Sequence, residues 1–211
     1  VFREASEDTQ RLQNIFRKLM RFTAFVSFPA MLGLAIVSQE LIVISITEKW
    51  LPCVPVMQIL CVWGAFMPIS TLYSNLMNSI GRPNIYMWNT IALGIFQLLC
   101  VWGSYPYGLN VMLIVYTAAN IFWLLIWHYF AHKHIGISLF NTLKDIAPYL
   151  IISVAVMTFT YWVAGYVKNI YLSLLVKVAL AASLYIFLMW SLKSIVFSES
   201  LQYLFKKKTI Q

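Results

Sequence analysis

The chain has 211 residues, 61% of them hydrophobic and 10% charged, with a mean hydropathy of +0.77. Soluble domains are about half apolar and roughly a quarter charged, so this composition excludes a freely dissolved monomer and makes the lipid bilayer the natural solvent. The formal charge of +8 does not point to nucleic acid, because the basic residues form no solvated face and no nucleic-acid-binding motif is present.

The chain begins at Val1 with a polar stretch, not with a charged and then apolar signal segment. A start at Val is expected of a piece of a longer protein. Residues 1–21 form a lead-in. Ser6 has the chemistry of a helix N-cap, and Glu7 and Asp8 then sit at the positive end of the helix dipole. Leu12, Ile15, Phe16 and Leu19 recur on one helical face, with Arg11, Arg17, Lys18 and Arg21 between them. This predicts a basic amphipathic helix. It either lies on the anionic cytoplasmic leaflet or extends the first span.

A membrane span needs about 20 mostly apolar residues. Six such stretches follow, at 22–46, 54–78, 85–105, 111–130, 146–167 and 170–192. The breaks carry turn chemistry: "TEKWLP", "IGRPN" and "YPYGLN", then the long "HKHIGISLFNTLKD", then "VKN". Helices are the one open-chain way to satisfy the backbone in lipid, so the expected fold is an all-α bundle of six spans. It divides into a four-helix part over 22–131, a loop over 132–145, a helix pair over 146–196 and a basic tail over 197–211. The tail's Lys206, Lys207 and Lys208 read as a topology anchor.

If the spans alternate, one set of connectors and ends holds 12 of the 15 Lys and Arg. The other set holds Lys49, Lys168 and Lys177. The positive-inside rule then places both ends of the chain in the cytoplasm. Trp50, Tyr105, Tyr107, Trp162, Tyr166 and Tyr171 fall together at the outer interface, as an aromatic belt would.

Catalytic signatures are absent: no phosphate-binding glycine loop, no HExxH, no nucleophile elbow. No catalytic residue, cofactor or metal site is expected. His128, His132 and His134 have metal-like spacing but no further ligand nearby, and read as interfacial. Cys53, Cys61 and Cys100 match no metal or redox spacing and read as small apolar filler. Glu40 is the one acid inside a span; it is either functional or bound to the interface or to Lys49.

The informative polar residues are uncharged. Thr71, Ser74, Asn75 and Asn78 fall at i, i+3, i+4 and i+7, a stripe down one face of the second span. Thr90, Gly94 and Gln97 make a weaker stripe in the third span, and Asn120 sits inside the fourth. Two readings stand. Such residues line a wet cavity for a polar headgroup, or they hydrogen-bond between helices and hold the bundle together. Pro29 and Pro68 inside spans are candidate kinks.

A basic lead-in followed by "FPAMLGLAIVSQELIVISITEKWLPCVPVMQILCVWGAFMPI" and "NLMNSIGRPN" carries a resemblance. Pro29 with Gly33, Glu48-Lys49-Trp50, Pro55 with Gln58-Ile59-Leu60, and Asn78 with Gly81-Arg82 occur in characteristic order. In these features the chain resembles the C-terminal half of bacterial lipid-linked oligosaccharide (O-antigen) flippases. They belong to the multidrug/oligosaccharidyl-lipid/polysaccharide flippase superfamily. The resemblance covers the whole chain in topology and is most specific over residues 10–85.

The resemblance implies two six-helix lobes around a cavity, often with an extra C-terminal helix pair. This chain would supply four helices of the second lobe and that pair. It implies movement of a polyprenyl-diphosphate-linked glycan across the bacterial inner membrane by alternating access. The implied partners are this lipid-linked oligosaccharide, membrane lipids and other polysaccharide-assembly proteins. Arg82, at the mouth of the polar stripe, either attracts the diphosphate or serves as a positive-inside anchor. The last two spans would offer an apolar groove for the lipid tail. A multidrug exporter of the same superfamily shares the fold. A membrane-embedded glycan polymerase or ligase shares the substrate, but needs a large outer loop that these short connectors do not supply.

Overall fold

The computed structural model describes residues 2–167 and 169–191, with backbone alone for residues 2–8. The expected cap at Ser6 and the basic residues Arg3, Lys168, Lys193, Lys206, Lys207 and Lys208 lie outside the described side chains. So does the 197–211 tail.

The described chain is helical, with no strand among the described residues. Its α-helices are α1 (Phe2–Ile36), α2 (Ser38–Ser45), α3 (Val54–Ser79), α4 (Pro83–Ser104), α5 (Leu109–Ile135), α6 (Leu139–Ala164) and α7 (Ile170–Ser191). Six stretches among the described residues are long and apolar enough to cross a membrane. The chain is a multi-pass membrane protein built as an all-α bundle.

Turn chemistry sets the connections. Gly81 adopts φ +70° and Pro83 opens α4, so "IGRPN" makes a three-residue turn between α3 and α4. "TEKWLP" forms a short 3-10 turn, Glu48–Cys53, that runs directly into α3. Pro29, Pro68 and Pro148 all lie inside helices that continue through them.

Two connections differ from expectation. The loop expected over 132–145 is only residues 136–138. Helix α5 runs on through His132, Lys133 and His134, where basic side chains suit the negative end of the helix. It stops where Gly136 turns left-handed, its N–H donating to His132 O at 2.8 Å. Helix α6 already begins at Leu139. The first span, expected as one run over 22–46, breaks instead at Val37 into α1 and α2.

The lead-in is the first part of α1, 35 residues long in all. It packs inward and does not lie apart from the bundle. Phe16 and Met20 are buried, and the Phe16 ring lies 5.3 Å from that of Tyr73. Ile15 and Leu19, expected on the same face, are exposed. Gln13 Nε2 donates to Ile135 O, and Arg17 grips Asp145 at the start of α6 with Nε at 2.6 Å and Nη2 at 3.1 Å.

Helix α1 is the centre of the arrangement. It packs on α3 on one side and on α6 on the other. Helix α5 lies beyond α3 and carries α4, while α7 lies on α6. Phe28, Met20, Ile69, Met77 and Met189 fill the spaces between them. The expected aromatic belt residues are all exposed, and they sit at the three turns that share one end of the bundle.

Candidate functional site

In an apolar bundle the functional information lies in how each polar side chain is satisfied. Three sets stand out, and they differ in kind.

The first set joins α2 to α7. Glu40 is only 6% exposed. It reaches neither the interface nor Lys49, as the sequence had suggested; its partner is Lys177, well inside α7. Lys177 Nζ lies 2.5 Å from Glu40 Oε1, and Ser173 Oγ donates to the same oxygen at 2.9 Å. Lys177, which the sequence pattern groups with Lys49 and Lys168, is 5% exposed. The residues are 137 apart in sequence, so no local pattern announces the pair. A charge pair removed from water is costly unless both partners are satisfied, and here most of the donors and acceptors meet.

The second set is the α3 stripe. Thr71, Asn75 and Asn78 are exposed and Ser74 is half-buried. Thr71 Oγ1 and Ser74 Oγ donate back to Met67 O and Ser70 O of their own helix, each at 3.1 Å. The stripe faces away from the packed core formed by Ile69, Tyr73, Leu76 and Met77. Arg82 is exposed in the turn just past its end.

The third set ties α4 to α5. Gln97 Nε2 donates to Asn120 Oδ1 at 2.8 Å, and Asn120 Nδ2 donates to Tyr116 O at 2.8 Å. Below it, Trp123 Nε1 donates to Asn89 Oδ1 at 2.7 Å. Asn89 is buried and escaped notice in the sequence because it has no polar neighbour at helical spacing.

His128 and His132 stack on each other, ring centroids 6.5 Å apart, and each has a further partner. His128 Nδ1 lies 3.1 Å from Tyr73 OH, and His132 Nδ1 lies 2.9 Å from Ile137 O. Between α1 and α7 runs an apolar groove of about 530 Å³, lined by Phe25, Pro29, Gly33, Ala181 and Tyr185, with Lys177 in its wall.

Comparison with known proteins follows the same direction. Residues 1–55 match the family model described as "Polysaccharide biosynthesis protein". The chain is 31% identical over 97 residues to the lipopolysaccharide biosynthesis protein WzxC of Escherichia coli (strain K12), covering 46% of this chain and 20% of that protein. It is 31% identical over 91 residues to an uncharacterized membrane protein in the cps region of Klebsiella pneumoniae, covering 43% of this chain and 19% of that one. It is 25% identical over 97 residues to the teichuronic acid biosynthesis protein TuaB of Bacillus subtilis (strain 168), covering 46% and 20%. Over less than half of its length, then, the chain is similar to proteins named for polysaccharide biosynthesis and to a membrane protein of a cps region. These matches span about a fifth of the length of the curated relatives. No solved structure matches the chain.

Proposed function

We propose that the chain is part of a flippase that moves a polyprenyl-diphosphate-linked oligosaccharide from the cytoplasmic to the periplasmic leaflet of a bacterial inner membrane. The product feeds a surface polysaccharide such as O-antigen or capsule. Transport, not catalysis, is its role. The observation that carries this reading is the α3 stripe: four polar residues at helical spacing in the second half of α3, three of them exposed, with Thr71 and Ser74 bonded only within α3 among the hydrogen bonds described. Lipid penalises unsatisfied amides, so Asn75 and Asn78 require water or a polar partner beyond this bundle. A water-filled path for a glycan headgroup meets that need. Arg82, past the end of the stripe, suits attraction of a diphosphate. The groove between α1 and α7 suits a lipid tail. In this role the bundle has both ends in the cytoplasm, with Lys49 outside and Lys133 inside.

The test replaces Asn75 and Asn78 by Leu in the whole protein. Glycan export falls while the protein stays folded if the stripe lines the path. Full export with lowered stability would instead assign the stripe to packing. Cysteine labelling at Lys49 from the periplasm and at Lys133 from the cytoplasm checks the orientation.

A further inference from the structure

The break between α1 and α2 is gripped from three elements. Helix α1 ends at Ile36 and α2 begins at Ser38. Ser38 Oγ donates to Ala35 O at 2.8 Å, and Gln58 Nε2 of α3 approaches the same carbonyl at 3.4 Å. Lys177 Nζ of α7 donates to Ile36 O at 2.9 Å. The C-terminal end of a helix carries partial negative charge, and α1 ends here inside the bundle.

The same ammonium meets two further groups. Glu40 Oε1 lies 2.5 Å away, and the Tyr161 ring of α6 lies beneath it, 5.4 Å to the centroid. Ser173 Oγ supports the carboxylate. Glu40 Oε2 is buried with no hydrogen-bond partner among the described residues. A carbonyl at the end of the first span, a carboxylate just past it and a nearby hydroxyl form an oxygen set suited to a small monovalent cation.

We infer that the α1–α2 break is a monovalent-cation site whose cation is supplied by the chain itself, as the ammonium of Lys177. The tether makes occupancy of the site conditional on α7 being docked. Lys177 is therefore a positioning residue: it joins the last helix to the broken first span so that the two move together. The inference stands independently of the cargo, because its readout is stability and not export.

The test is chemical rescue. The whole protein, wild type, Lys177→Ala and Glu40→Ala/Lys177→Ala, is melted in detergent in choline chloride, methylammonium chloride and sodium chloride. In choline, Lys177→Ala melts lower by on the order of 10 °C, because one charge of a buried pair is left alone. Methylammonium or sodium restores at least half of that loss. Neither salt moves the wild type or the double variant by a comparable amount. If Lys177→Ala aggregates on extraction in choline, extraction in methylammonium recovers a monodisperse peak. The inference is overturned if Lys177→Ala melts alike in all three salts or aggregates in all three. It is also overturned if the double variant gains as much as the single one.

Discussion

The Glu40–Lys177 pair and the α3 stripe are both polar features in apolar helices, yet they are satisfied in opposite ways. The pair is buried and joins α2, α7 and the end of α1. The stripe is largely exposed, and its two hydroxyls turn back to their own helix. Position within a span does not separate the two cases. What separates them is whether a second helix arrives with a complementary group. The pair therefore belongs to how this bundle is held, and the stripe to what the bundle faces.

The largest expected effect comes from breaking the pair on one side. Lys177→Met leaves Glu40 buried alone and costs about 3–5 kcal/mol in equilibrium unfolding. Adding Glu40→Leu returns most of that loss, since an apolar pair needs no partner. A double variant as unstable as the single one would show that the pair has a role beyond mutual neutralisation. Next comes Gln97→Leu, which removes the α4–α5 hydrogen bond and costs about 1–2 kcal/mol, read by the same unfolding measurement. Export should be unchanged in that variant. Arg17→Gln loosens the contact to Asp145 near the bundle end, and at partial exposure it costs under about 1 kcal/mol. The smallest stability effect is expected for Asn75→Leu, within about 0.5 kcal/mol, although that variant should lose export. A stability loss at Asn75 equal to that at Gln97 would erase the distinction between the two kinds of polar residue.

Much of the architecture was legible because it rests on local signals. Five of the six apolar runs became single helices, and their ends moved by only a few residues where Gly81, Pro83 and Gly108 punctuate them. The resemblance drawn from Pro29, Glu48, Pro55 and Arg82 points to polysaccharide export, and the comparisons find similarity to proteins of polysaccharide biosynthesis. The basic run at His132–His134 misled, because helix C-termini accept cations as readily as loops do. The break at Val37 was not legible at all. No proline or glycine occupies it, and its carbonyls are met by Ser38, by Gln58 of α3 and by Lys177 from the far end of the chain. Interhelical hydrogen bonding is one of the two readings the sequence leaves open for Gln97 and Asn120; the structure brings the two together, whereas the α3 stripe residues gain no partner from a second helix among the hydrogen bonds described.

The account turns on whether the α3 stripe faces water in the working protein, and cysteine reactivity asks this directly. Cys53, Cys61 and Cys100 are first replaced by Ala, and single cysteines are placed at Asn75, at Asn78 and, as a buried control, at Ser153, which is 0% exposed. Native membranes are treated from the cytoplasmic side with a membrane-impermeant maleimide, with and without lipid-linked oligosaccharide. The expected result is rapid labelling at 75 and 78, slowed by the oligosaccharide, and none at 153. Residues 75 and 78 as unreactive as 153, or reacting at a rate that the oligosaccharide leaves unchanged, would contradict the account.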